Sequence, residues 1–162
     1  DHAFSIPHQY LVSVAEKELG RTIPSIPVYL ASGVDPFISL NRTRELGEHI
    51  RCAVESFPVD ERVVIIGSGG ISHWVGTVEM GKVAEDFDQE VLEFGVNGDL
   101  EGLANYSNEE ILARGGNGAM EIRNFLCAMA AVPNPKGEVI DYAPVREWVT
   151  GLGFLQIHAN DA

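Results

Sequence analysis

The chain has 162 residues, 45% of them hydrophobic, and a formal net charge of -13. That length and apolar content are enough for one compact α/β domain with a real core, and they exclude an extended disordered chain. With 24 acidic residues against 11 basic, the surface repels phosphate backbones and anionic lipid, so neither nucleic acid nor a membrane is expected as a partner.

The chain opens Asp1-His2-Ala3-Phe4 without an initiator methionine, which leads us to expect a piece of a longer protein. After Pro7, a residue suited to a first helical turn, His8 to Leu19 has helical periodicity and Gly20 closes it. Ile26-Pro27-Val28-Tyr29-Leu30-Ala31 reads as a short strand whose prolines mark its start. Ser39 to Ser56 reads as a helix with Leu46, Ile50 and Val54 on one face. Val63-Val64-Ile65-Ile66 is a continuous β-branched run, the pattern of a strand buried on both faces. It runs into Gly67-Ser68-Gly69-Gly70, where the chain must turn sharply.

Phe87 to Phe94 is expected to be helical. Ser107 and Glu110 have capping-box spacing, so a helix should begin there and end near Gly115-Gly116. Another should run from about Gly118 to Val132, stopped by Pro133 and Pro135. Phe154 to His158 is a last strand candidate. The alternation of helical and strand-like segments predicts a central sheet flanked by helices. Residues 1–162 then form a single domain, or the C-terminal half of a larger one.

Cys52 and Cys127 form no CxxC pair and no metal-finger spacing, so both read as core thiols in a reducing compartment. No apolar run approaches the roughly 18–20 residues of a membrane span, and no secretory leader is visible. The expected location is the cytoplasm.

Three places carry possible chemistry. In Gly67-Ser68-Gly69-Gly70-Ile71-Ser72-His73 a strand delivers a glycine-rich turn, the position where open α/β sheets place ligands. The glycines allow close backbone approach, and His73 would be placed to transfer protons near neutral pH. A packed turn with a surface histidine is the plain alternative. A dinucleotide site is disfavoured because Ser72 stands where the third glycine of GxGxxG belongs. A hydrolase elbow fails because the run is not G-x-S-x-G.

The second place is Glu121, which borders the apolar stripe of Ile122, Phe125, Leu126 and Met129. A carboxylate there needs a compensating cation or hydrogen-bond donor; a structural salt bridge to an arginine is the plain reading, and a metal ion is the other partner. The third is His2, followed by Phe4 and Ile6-Pro7; a histidine near a terminus is ordinarily just exposed. His8, His49 and His158 have no metal-ligand spacing.

Taken together, these stretches resemble the class III extradiol dioxygenases. The resemblance is carried by Asp1-His2-Ala3-Phe4 with Pro7, Asn41 to Glu48, Val63 to His73, Ser107 to Glu110, Met120 to Asn124, and Arg146 to Val149 with Gly151 and Gly153. The most specific parts are the SGGxSH element and the DH element 71 residues before it. The resemblance implies a catechol-type aromatic substrate, O2, and a non-haem Fe(II) held by two histidines and a glutamate. The glutamate falls on Glu121, and His2 and His73 fall on acid/base groups flanking the substrate. His73 is then the base and His2 the proton donor, although either imidazole could serve either step. The Gly67, Ser68, Gly69, Gly70 and Ser72 positions form the substrate loop.

The family's two iron-binding histidines lie in an N-terminal half that this sequence lacks, so the resemblance also implies a separate N-terminal half or partner chain. It further implies a homo-oligomer and a muconic semialdehyde-type product. The stretch from His73 to Phe87 is shorter than in part of the family, and Trp74 stands where many members carry glutamine. Two rivals remain. One is a non-catalytic homologue, or a subunit completing a site with a partner. The other is a metal site made of His2, His73 and Glu121 themselves.

Overall fold

The computed structural model describes residues 2–160 and divides the chain into two compact units, with the boundary between Leu30 and Ala31. Asp1, the first residue of the DHAF stretch, lies outside the described residues.

The first unit is helical from its start. Helix α1 (His2–Pro7) leads into a π-helical segment (His8–Val12) and then α2 (Ser13–Leu19). The helix therefore begins before Pro7 rather than after it. Proline lacks an N–H and crowds the preceding turn, and the wider π turns follow it directly. Gly20 ends α2 in the left-handed conformation, with φ of 65°, as its position in the sequence predicts.

The second unit holds the core. Its helices are α3 (Leu40–Glu55), α4 (Glu85–Asn97), α5 (Leu100–Ala104), α6 (Asn108–Gly115) and α7 (Ile122–Ala130), with a 3-10 turn (Gly118–Glu121) leading into α7. Strands β1 (Pro135–Val145) and β2 (Thr150–Ala159) pair antiparallel, from Pro135 opposite Ala159 to Val145 opposite Thr150. A bulge between Val139 and Asp141 bends the first of them. The chain is thus mixed α/β, as its sequence pattern predicts, and its sheet is this hairpin.

The helix ends are set by side chains. Ser39 caps α3 by accepting from the Arg42 N–H at 3.3 Å. Ser107 accepts from the Glu110 N–H at 3.1 Å while the Glu110 carboxylate accepts from the Ser107 N–H at 2.8 Å. That is the reciprocal box its spacing predicts. The core is built from Ile71, Phe87, Val91, Leu92, Leu103, Ile111, Met120, Ile122, Leu126 and neighbours, all essentially inaccessible. Burying each large side chain contributes roughly 1.5–3 kcal/mol.

Close packing depends on glycine at two contacts. A Cβ on Gly47 of α3 would lie 2.3 Å from the Cys127 carbonyl of α7. One on Gly95 of α4 would lie 2.6 Å from a Leu155 methyl of β2.

Against expectation, residues 26–31 and 63–66 enter neither helix nor strand among the described residues. A strand needs a hydrogen-bonding neighbour, and Ile26 is 88% and Val64 75% exposed. The expected central sheet is accordingly a two-stranded one. Pro135 begins a strand instead of merely ending a helix, a position where its missing N–H costs nothing. Lastly, Cys127 is buried as expected but Cys52 is exposed on α3.

Candidate functional site

The glycine-rich turn folds back on the start of α7. The Gly70 N–H donates to Glu121 Oε2 at 2.8 Å across 51 residues of sequence. The same oxygen lies 4.0 Å from His73 Nε2. A Cβ on Gly69 would come within 3.0 Å of the Glu121 Cβ, and one on Gly67 within 2.6 Å of the Asn124 carbonyl. The Asn124 amide donates to the Ser68 carbonyl at 2.6 Å. Gly67 and Gly69 lie against the 121–124 segment, and Gly70 against Thr150 and the His73 ring, with no room for a side chain at any of the three.

Glu121 closes the 3-10 turn and caps the N-terminus of α7, rather than lying inside one long helix. The positive end of the helix dipole favours its anion there. Its ion-pair partner among the described residues is His73, not an arginine. The nearby Arg123 is fully buried and serves a different purpose. It donates to the Ile38 carbonyl at 2.7 Å, the Met120 carbonyl at 3.1 Å and the Asn108 amide oxygen at 2.5 Å. Burial pushes its guanidinium below the ordinary arginine range. These bonds fix the start of α7, and with it Glu121.

His73 is held on every side. Its N–H donates to the Gly115 carbonyl at 2.9 Å, and its carbonyl accepts from the Gly118 N–H at 3.0 Å. It forms an isolated bridge with Thr150 of β2. Its ring packs on Gly118, where a Cβ would meet Cδ2 and Nε2 at 2.1 Å. Nδ1 lies 3.2 Å from the Ile71 carbonyl. A carbonyl only accepts, so Nδ1 carries a proton in that contact, and Nε2 is directed toward Glu121. The His73 side chain is 12% exposed and that of Glu121 37%, so the ring is enclosed and the carboxylate is reachable from solvent.

Sequence reasoning missed Asp88 and Tyr142 behind the turn, and it placed Ser72 in the substrate loop without its contacts there. Ser72 is fully buried. Its N–H donates to Asp88 Oδ1 at 2.7 Å, and its hydroxyl accepts from the Ala84 N–H at 2.8 Å. Asp88 is also fully buried, and its Oδ2 accepts from the Tyr142 hydroxyl at 2.7 Å. Burial pushes the Asp88 carboxyl above its ordinary value, against the hydrogen bonds from Tyr142 and Ser72 that favour the anion. Burial, and then the bond to Asp88, push the Tyr142 phenol up as well. A signal for Asp88 was available, because it shares one α4 face with Val91, Leu92 and Gly95, all buried, at helical spacing.

The structure thus brings together His73, Glu121 and the Gly67, Ser68, Gly69, Gly70 and Ser72 turn. His2 lies in the first unit, exposed near the start of α1. Among the described residues no group of three His, Cys, Asp or Glu side chains could hold a metal ion. Glu121 offers one carboxylate ligand; a complete set would have to draw on donors beyond these. No helix among the described residues is long and apolar enough to cross a membrane.

A histidine whose Nε2 faces a carboxylate at a helix start, with a glycine turn between them, suits proton transfer beside a polar substrate. The family model described as the catalytic LigB subunit of aromatic ring-opening dioxygenase matches residues 1–153, and the chain belongs to that family. Among curated proteins it is 26% identical to a 2,3-dihydroxyphenylpropionate/2,3-dihydroxicinnamic acid 1,2-dioxygenase of Escherichia coli O139:H28, over 99% of this chain and 64% of that protein. It is 24% identical to the protein of the same name from Photorhabdus laumondii, over 96% of this chain and 61% of the relative. The chain therefore spans less than two thirds of the length of these relatives.

Proposed function

We propose that this chain is part of a non-haem Fe(II) extradiol dioxygenase, one that opens a catechol-type ring with O2 and releases a muconic semialdehyde-type product in the cytoplasm. The observation that carries the reading is the placement of His73 Nε2 beside Glu121 Oε2, at 4.0 Å, with the ring packed on Gly118. Membership of the ring-opening dioxygenase family supports it. So do the relatives' names, which make a dihydroxyphenyl-substituted acid the first substrate to try.

An iron(II) ion, held by Glu121 and by two histidines from outside this chain, would supply the Lewis acidity and the oxygen chemistry. The contribution of this chain's own residues is proton handling. His73, protonated on Nδ1, accepts the second catechol proton at Nε2. Enclosure of its ring keeps bulk water from competing for that lone pair. His2 is proposed as the proton donor later in ring opening.

The remaining donors are proposed to come from an N-terminal half or a partner chain, in an assembly that is a homo-oligomer. The apolar 63–66 segment supports this, because it has the composition of a buried strand and enters no strand pairing among the described residues. A non-catalytic subunit is the second reading, favoured by the lack of a three-donor cluster among the described residues.

The test is to purify the protein from its native host with whatever accompanies it, and measure iron content and O2-dependent yellowing of 2,3-dihydroxyphenylpropionate and simpler catechols. Stoichiometric iron with a ring-opened product identified by mass supports the proposal. Iron-free protein that remains inert after anaerobic Fe(II) loading sinks it and leaves the non-catalytic reading.

A further inference from the structure

We infer that Asp88 is a positioning residue for His73, acting through the peptide group that joins Ile71 to Ser72. The proposal rests on the reading of His73 as a proton acceptor. The two ends of one amide are involved. Its N–H, on Ser72, donates to Asp88 Oδ1 at 2.7 Å. Its carbonyl, on Ile71, accepts from His73 Nδ1 at 3.2 Å. Tyr142 donates to the other Asp88 oxygen at 2.7 Å. The chain of bonds therefore runs from His73 through a peptide to a buried carboxylate, and on to a phenol.

From His73 to Asp88 the bonds are polar in one direction, and the Tyr142 hydroxyl donates into the same carboxylate from its other side. An amide whose N–H faces an anion becomes a better acceptor at its carbonyl, and consecutive hydrogen bonds strengthen one another by roughly 10–30% each. Charge-assisted bonds are about twice as strong as neutral ones. A stronger Ile71 acceptor holds the proton on His73 Nδ1, and so keeps the lone pair on Nε2, the atom that faces Glu121 at 4.0 Å. A carboxylate touching a histidine directly has the same effect; here one peptide plane stands between them.

Three further observations show that this peptide is a fixed relay. The Ser72 carbonyl accepts from the Gly151 N–H at 2.9 Å, and the Ile71 N–H donates to the Gly151 carbonyl at 3.2 Å. The Ser72 hydroxyl ties the same segment to Ala84 at the start of α4. Gly151 also gives Asp88 its space, since a Cβ there would lie 1.9 Å from Oδ2. The carboxylate itself is a cost to the fold. It is wholly inaccessible and its hydrogen-bond donors, Ser72 and Tyr142, are neutral. Its burial raises the carboxyl's pKa, and the neighbouring Glu85 pushes the same way. A group that costs stability and is aimed at a site residue has the pattern of a functional one.

The experiment is nitrogen-15 NMR of the histidine-labelled protein at alkaline pH, with the His73 signals assigned by their loss in His73→Asn. Wild type is expected to show His73 as the Nδ1–H tautomer. In Asp88→Asn, which keeps the shape and loses the charge, the Nδ1–H to Nε2–H ratio should fall by about two- to tenfold. Turnover should fall with it while KM stays within about twofold. Tyr142→Phe removes a competing donor from Asp88 without touching the peptide; it should raise the ratio by less than Asp88→Asn lowers it, and serves if Asp88→Asn does not fold. A wild-type ring protonated on Nε2, or a ratio unchanged in the folded variants, overturns the proposal. A shifted ratio in a protein that opens no catechol leaves Asp88 as the positioning residue and overturns the dioxygenase reading instead.

Discussion

His73 Nε2 lies 4.0 Å from Glu121 Oε2, and the His73 ring rests against Gly118 at the start of the turn that carries Glu121. Gly118 therefore acts as the floor on which the imidazole sits.

Gly118→Ala puts a methyl group where His73 Cδ2 and Nε2 now lie, 2.1 Å from the added carbon. The ring must tilt away, and its bond to the Ile71 carbonyl goes with it. A misplacement of about 1 Å in a reacting group costs on the order of a hundredfold in rate. Ring opening by Gly118→Ala should fall by about that factor, with a far-ultraviolet circular dichroism spectrum like that of wild type. Activity within about threefold of wild type would remove His73 from the proposed chemistry.

Asp88 makes a prediction with a definite sign. Its folded pKa is raised above the ordinary value of 3.8, chiefly by burial. The folded state thus holds its proton more tightly than the unfolded state, and stability falls as pH rises through the interval between the two pKa values. The favourable contribution is complete below 3.8 and gone above the raised folded value. Asparagine mimics the neutral acid, so Asp88→Asn should match wild type in acid and gain relative to it as pH increases. Urea unfolding at a series of pH values from 3 upward checks this. A difference independent of pH would mean that Asp88 is not the titrating group.

Ser107→Ala removes the hydroxyl that accepts from the Glu110 N–H at 3.1 Å. Loss of a serine cap costs about 1 kcal/mol, within a range of about 0.5–2. The urea midpoint should drop by that equivalent with no change in slope, because the site residues do not touch this cap.

That cap was legible from the sequence, and so was most of the helical scaffold, because these features are local. The Ser107-to-Glu110 spacing, the Ser39 start and the Gly115-Gly116 stop each act within one turn. The site was legible residue by residue but not as a geometry. Nothing local says that Gly70 and Glu121, 51 positions apart, share a hydrogen bond. Asp88 was overlooked because an acidic residue in a helix's first turn usually faces water and favours the helix dipole. Only its phase with Val91, Leu92 and Gly95 marks it as inward. Strand β1 was hidden by Pro135 and by a mostly exposed face, which gives little alternation to read. The 63–66 run misled in the other direction. Its β-branched composition states a preference for a sheet, and a sheet requires a partner strand that composition cannot supply.

The 63–66 run yields the last prediction. Val64 is 75% exposed and sits beside Val63 and Ile66, which are 50% and 46% exposed. A contiguous apolar segment with open backbone groups is a template for strand addition. Val64→Asp should change the stability of the chain by itself by no more than about 0.5 kcal/mol, as exposed substitutions do. If the proposed N-terminal half pairs along this edge, the same substitution should weaken its association at least tenfold, since a desolvated charge would replace a buried methyl pair. Titrating wild type and Val64→Asp with the corresponding N-terminal region of a curated relative, followed by sedimentation velocity, separates the outcomes. Equal affinity would move the docking surface away from 63–66, whereas a large loss in a folded variant would place this segment inside the completed sheet.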